Sequence, residues 1–311
     1  MNQYDISIVL GVFNEKDNIE RVYSDLVKVL SENFKSFQLI FVDDGSTDGS
    51  FEIIKELSSV NNDVLGIQFS RNFGQQSAIT AGFENALGDV IVTIDSDGQQ
   101  PPALIPVLFA KHKEGFDIVN SVREDDKSIG IFKKLTSKLF YKVINMLSDT
   151  YITPSSSEFR LMSKQVVDSF LLFKEKKRFT RGLIHWMGFS QASVSYSANE
   201  RFSGKSKQST GKLLTLAGDG ITSFTSKPLK ISFYVGLSVA FLGLIYAIYA
   251  VVQYFTGNSV EGWASLLIVI LILGGLQLVS IGIVGEYLAR VFDEVKNRPL
   301  YLIKERTDTS E

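Results

Sequence analysis

Hydrophobic residues along the first half of this chain recur with two alternating periods. Ile6-Ser7-Ile8-Val9-Leu10 is a short apolar run closed by Gly11 and Asn14, and it reads as a buried strand. Ile19, Val22, Leu26 and Val29 then follow at helical spacing behind Asn14 or Asp17 as a cap. Leu39 to Val42 repeats the strand signal and runs into the acidic turn Asp43-Asp44-Gly45-Ser46-Thr47-Asp48, after which Phe51, Ile54 and Leu57 mark a second helix. Val64 to Phe69 is a third strand, Ser77 to Leu87 a helix of small residues, and Ile91 to Ile94 a fourth strand ending in Asp95. A further strand covers Asp117 to Val122, with Arg123 just past it, and another lies near Ala192 to Tyr196. Strands alternating with helices over some 120 residues imply an α/β fold, Rossmann-like, with a mainly parallel sheet and helices on both faces.

The pattern changes in the second half. From Ile131 to Leu147 an apolar stripe faces several lysines, which suits a helix on an anionic membrane surface or, equally, an ordinary helix packed on a core. Residues 201–230 form a basic loop with interfacial segments. No charge occurs between Ile231 and Val260, nor between Gly262 and Gly285. A bilayer core of ~30 Å is crossed by about 20 apolar helical residues, so these stretches predict a hairpin of two transmembrane helices within 231–288 and a tail over 289–311. Lys227 and Lys230 precede the hairpin, and Arg290, Lys296, Arg298, Lys304 and Arg306 follow it, while the intervening loop carries Glu261 and no Lys or Arg. The positive-inside rule then places residues 1–200 and both termini on the cytoplasmic side. The opening residues Met1 to Asp5 lack the basic start of a signal peptide.

Composition narrows the chemistry. The chain has 311 residues, 45% hydrophobic, with a net charge of -2, which gives no support to nucleic-acid binding. It has no cysteine and only two histidines, His112 and His185, so thiol catalysis and Cys-ligated zinc are excluded and a His-based centre is not expected.

Acidic groups instead gather where strands end: Glu15 after the first, Asp43 and Asp44 after the second, Asp95 and Asp97 after the fourth. Loops that follow parallel strands share one sheet edge, which is where open α/β sheets bind ligands. Asp95 and Asp97, with the amide of Gln99, offer oxygen ligands to a hard cation such as Mg²⁺ or Mn²⁺ that shares its shell with a diphosphate. A lone D-x-D turn more often caps a helix; the neighbouring acids shift that balance. Carboxylates also accept hydrogen bonds from nucleoside N–H and O–H groups, so Asp43 is placed on the base and Glu15 nearer the ribose. For Asp44 and Asp48 turn formation and capping explain the residues as well. Arg201 and Lys207 stand in a small-residue loop that reads as a linker or as a lid closing on phosphate. Glu158 lies two residues from Arg160, and a local ion pair is its simplest reading.

Phe13-Asn14-Glu15, Val42-Asp43-Asp44-Gly45-Ser46, Arg71-Asn72-Phe73-Gly74, Asp95-Ser96-Asp97-Gly98-Gln99, Phe159-Arg160-Leu161-Met162 and the Arg201 to Lys207 loop together resemble the GT-A glycosyltransferases of family 2. Within that family the chain is most similar to polyprenyl-phosphate glycosyltransferases related to dolichol-phosphate mannose synthase, and the hairpin with Gly285-Glu286-Tyr287 resembles the bactoprenol glucosyltransferase branch. It departs from the family pattern at Gly11 (often Pro), Gly98 (often Leu) and Ser157-Glu158 (usually Gly-Asp).

The resemblance implies inverting transfer of a hexose, glucose from UDP-glucose, to undecaprenyl phosphate at the bacterial inner membrane, by an enzyme expected to form homo-oligomers. It further implies Asp95, Asp97 and Gln99 around the metal, Glu15, Asp43 and Asp95 on the nucleotide, and Arg123, Arg201 and Lys207 on phosphates. Asp95, Asp97 and Glu158 are the expected catalytic set. Rival readings are the same reaction with GlcNAc, mannose or aminoarabinose, a processive synthase, and a non-catalytic membrane-anchored sugar-nucleotide-binding protein.

Overall fold

A computed structural model describes residues 3–123, 156–176, 178, 180–197, 227–257 and 262–308. They divide into two compact units. One holds the described residues up to Ser197 together with those from Pro299 onward, and the other holds those from Lys227 to Arg298.

The first unit is built on β1 (Tyr4–Val12), α1 (Lys16–Asn33), β2 (Phe37–Asp43), α2 (Ser50–Val60), β3 (Val64–Phe69), α3 (Gln75–Glu84) and β4 (Gly88–Asp95). A 3₁₀ turn, Pro102–Leu104, leads into α4 (Ile105–Lys113), then β5 (Ile118–Arg123), β6 (Ser156–Ser163), α5 (Lys164–Leu171), α6 (Thr180–Trp186) and β7 (Gln191–Tyr196). These strands and β8 (Ile303–Arg306) form one sheet in the order β7-β5-β6-β4-β1-β2-β3-β8. β1 is parallel to β2 and β4, β2 to β3, and β5 to β7, while β6 and β8 run antiparallel to their neighbours. The sheet is therefore mixed, with most of its strands pointing one way.

Strand alternation explains the two covered faces. Ile6, Ile8, Leu10 and Val12 of β1 share a core with Ile19, Val22, Leu26 and Leu30 of α1 and with Ile105 and Leu108 of α4. Val9 points the other way, onto α3, where a Cβ at Gly82 would stand 2.1 Å from the Val9 side chain. Only a glycine lets the helix lie that close to the sheet, and so the loop that precedes α3 is held down on the strand ends.

In the second unit, α7 (Lys227–Phe255) and α8 (Trp263–Val295) are both long and apolar enough to cross a membrane, with candidate spans Leu229–Gln253 and Ile272–Val295. Their large side chains stand outward: Phe233, Tyr246, Leu278 and Ile281 are each at least 60% exposed, unlike the residues of a soluble core helix. α8 outruns the uncharged stretch that predicts it, continuing through Glu286, Arg290, Asp293 and Glu294. Glu and Arg are good helix formers, so the end of the apolar stretch does not end the helix.

The segment beyond α8 differs from the expected tail. The chain returns to the first unit, where β8 pairs with β3 from Ile67↔Arg306 to Phe69↔Ile303, with a bulge between. Thr307 seals the edge: its N–H donates to the Gly66 carbonyl at 3.0 Å and its hydroxyl accepts from the Gly66 N–H at 2.9 Å. Four residues too short and too charged to announce a strand thus close the sheet.

Candidate donor-binding site at the carboxyl edge of the sheet

The parallel pairing sets Gly11 beside Asp95 and Val12 beside Asp43, so the turns after β1, β2 and β4 open at one edge. Here the strand order reverses, the chain leaving β1 toward β2 on one side and toward β4 on the other. A cavity of about 520 Å³ lies at that edge, lined by Gly11, Val12, Phe13, Glu15, Asp44, Asn72, Gly74, Gln75, Ala78, Asp95, Ser96, Asp97 and Gln99. Its lining brings residues from four separate loops together.

Asp95 closes β4. Gln100 brackets it with one buried amide, whose oxygen accepts from the Asp95 N–H at 2.8 Å and whose Nε2 donates to Asp95 Oδ2. From α3, Gln75 Nε2 donates to the other oxygen at 3.0 Å. Two neutral amides therefore orient the carboxylate without cancelling its charge. Asp97 Oδ1 accepts from the Gln99 N–H at 3.1 Å, and Ser96 Oγ ties the turn to the Gly11 carbonyl at 2.9 Å. Gln99, expected as an amide ligand, does line the cavity; Gln100 is the neighbour that sequence reasoning passed over. The signal was its position before Pro101, which favours extended backbone and ends the turn.

The acids after β2 are arranged otherwise. Asp43, expected on the nucleobase, is 0% exposed and absent from the cavity lining. Its carboxylate accepts from the Ser46 N–H at 3.2 Å and from Gln68 Nε2 at 3.1 Å. Asp44 lines the cavity instead, and accepts from the Phe73 and Gly74 N–H groups at 2.6 and 2.9 Å. Burial pushes the pKa of both above the ordinary 3.8, although these hydrogen bonds pull the other way. Gly45, at φ +72°, follows them, where a Cβ would fall 2.5 Å from the Arg71 backbone. Asp48 joins the starts of two helices, whose N-caps are Gly49 and Glu15: its carboxylate takes the Ser50 N–H of α2 at 3.0 Å and the Lys16 N–H of α1 at 3.1 Å. Although burial works to raise its pKa, hydrogen bonds from Ser50 and the Lys16 amide hold it below the usual value.

Glu15 lines the cavity and accepts from Asn18 Nδ2 at 2.7 Å. Phe13 is 37% exposed at the same cavity, offering an aromatic face that a flat base could cover. Glu158 is ion-paired with buried Arg160 at 3.1 Å. The Thr93 hydroxyl of β4 donates to the Glu158 carbonyl, which sets Glu158 beside that strand. Arg123 is exposed at the end of β5, outside the cavity lining. Arg201 and Lys207, and the 131–147 segment, lie outside the described residues. Among the described residues no three His, Cys, Asp or Glu side chains cluster as a complete metal site. Two carboxylates and an amide oxygen on one cavity nonetheless fit a cation whose shell a diphosphate would complete.

Residues 7–171 match the family described as Glycosyl transferase family 2, and residues 227–291 match the GtrB C-terminal hairpin. The chain belongs to glycosyl transferase family 2, with the GT-A type of fold. It is 42% identical to "Uncharacterized glycosyltransferase YkcC" of Bacillus subtilis over 96% of this chain and 93% of that one. The SfII prophage-derived bactoprenol glucosyl transferase of Shigella flexneri is 39% identical, covering 96% of this chain and 97% of the relative. The prophage bactoprenol glucosyl transferase homolog of Escherichia coli is 40% identical, covering 96% and 98%.

Proposed function

We propose that this protein transfers glucose from UDP-glucose to a polyprenyl phosphate, undecaprenyl phosphate in bacteria, with inversion at the anomeric carbon. The observation that carries the reading is the cavity in which Asp95, Asp97, Gln99 and Glu15 meet, in a chain that also bears two membrane-length helices. Relatives at 39–40% identity over nearly the whole chain bear the name bactoprenol glucosyl transferase.

In the reaction, an oxygen of the lipid phosphate attacks the anomeric carbon while the bond from that carbon to the UDP oxygen breaks, and UDP leaves with the electron pair. A phosphate monoester is already ionised near pH 7, so the nucleophile needs no strong general base. Stabilising the departing diphosphate and aligning the reactants supply the acceleration. Asp95 and Asp97, with Gln99, would hold Mg²⁺ or Mn²⁺, which when bound neutralises charge on the leaving diphosphate. Gln75 and Gln100 orient Asp95; Glu15 and Phe13 take the nucleoside, and Asp43 acts on it only through Gln68 and Ser46. Arg123, Arg201 and Lys207 serve phosphate, and Glu158 holds Arg160 beside β4 as a positioning group.

The hairpin keeps the site beside a substrate confined to the bilayer. The Lys and Arg residues that flank the hairpin favour the cytoplasmic face of the plasma membrane for both of its ends. A homo-oligomer is part of this proposal; the mass of the detergent-solubilised protein tests it, a multiple of the chain mass being expected and the mass of one chain contradicting it.

The test is purified protein with undecaprenyl phosphate, Mg²⁺ and a panel of radiolabelled nucleotide sugars, followed by organic extraction. Label in the lipid phase from UDP-glucose, with equimolar UDP release, is expected. Label from a different nucleotide sugar would overturn the choice of glucose, and binding of UDP without any transfer would support a non-catalytic protein.

A further inference from the structure

The strap after α8 touches the donor site's outer wall through Tyr301. Its ring stacks on Phe69, the last residue of β3, at 4.6 Å and 18°. Phe69 in turn meets Phe73 edge-on at 5.8 Å, and the Arg71 guanidinium lies 4.1 Å over the Phe73 ring. The next residue of the strap, Leu302, accepts the Ser70 N–H at 2.9 Å through its carbonyl. The Tyr301 hydroxyl donates to Glu84 at the far end of α3, and Arg306 Nη2 donates to Asn85 Oδ1 at 2.9 Å. The loop Ser70–Gly74 and the helix it opens are thus gripped at both ends by residues 301–306. That loop supplies Asn72 and Gly74 to the cavity, and its Phe73 and Gly74 amides are the donors to Asp44.

We propose that Tyr301 is a positioning residue for the nucleotide-sugar donor, holding the Ser70–Gly74 wall through the Phe69–Phe73 ring pair and anchoring α3 through Glu84. The inference rests on the donor reading above. It predicts a specific pattern because the strap's contacts with Phe69, Ser70 and Glu84 back the donor wall. Losing an aromatic stack and a hydrogen bond loosens the wall, so Tyr301→Ala should raise the KM for UDP-glucose and speed amide exchange at Phe73 and Gly74 by about tenfold each. The KM for undecaprenyl phosphate and kcat stay near wild type.

Tyr301→Phe keeps the ring, and should recover most of both losses. Tyr301→Leu fills similar volume without an aromatic face, and so decides the matter should the alanine variant not fold. Exchange at Phe73 and Gly74 unchanged in Tyr301→Leu, or a fall in kcat with the donor KM unmoved, would overturn the proposal. If the wild type turns over no UDP-glucose, the donor reading fails by itself; the exchange measurement then stands alone, faster exchange upholding the positioning role and unchanged exchange refuting it.

Discussion

Two acidic turns stand at one edge of the sheet on either side of β1, Asp43 to Asp48 after β2 and Asp95 to Gln100 after β4, and as sequences they look alike. In the first, backbone N–H groups of Ser46, Phe73, Gly74, Ser50 and Lys16 donate to the carboxylates, which thereby fasten three loops together. In the second, Asp95 is aimed by the side-chain amides of Gln75 and Gln100, and its turn faces a cavity. On the proposed reading, carboxylates that take backbone N–H groups from other loops build the wall of the site, and those held at the cavity by side-chain amides or within their own turn are its working groups.

The sharpest way to break this contrast is Asp97→Asn, which on the account lowers glucosyl transfer about a hundred- to a thousandfold while leaving thermal stability near wild type. Radiolabel transfer and a melting curve together check it. Asp44→Ala should do the reverse in kind, since it strands two backbone donors; a loss of roughly 2–4 kcal/mol in urea unfolding is expected. Were Asp44→Ala as stable as wild type, the division of labour between the turns would fail. Smaller again is Gln100→Ala, which frees Asp95 to rotate and strands its N–H: the donor KM should rise about tenfold, with a loss of roughly 1–2 kcal/mol in urea unfolding.

The smallest effects are in pH dependence, and they have opposite signs within the first turn. Asp43 has a folded pKa raised by burial, so its contribution to stability is full below 3.8 and is lost as pH climbs through the folded value. Asp48 has a lowered one, so its contribution is present above 3.8 and is lost as pH falls through the folded value. Urea midpoints between pH 3 and 7 should therefore show Asp43→Asn gaining on wild type as pH rises and Asp48→Asn losing ground.

Much of this was legible from residue order. Three β/α units and a fourth strand, the strand-end acids and the two apolar helices follow from hydrophobic period and length, because burial on both faces leaves near-continuous apolar strands. What escaped was decided by three-dimensional partners. Asp43 and Asp44 are adjacent and chemically identical, and only the pleat, which turns one inward and the other to the cavity, tells them apart. Gln100 hides beside Gln99 because the turn after β4, not a strand pleat, buries one amide and leaves the other at the cavity. β8 is a short charged edge strand whose pairing depends on an exposed partner, β3, far away in the chain.

The central claim is that the turn after β4 holds the donor's diphosphate with a divalent cation. Calorimetric binding of UDP, with Mn²⁺ and then with EDTA, to wild type and to Asp97→Asn tests it most directly. The account predicts tight binding only for wild type with Mn²⁺; equal affinity in all four conditions would contradict it.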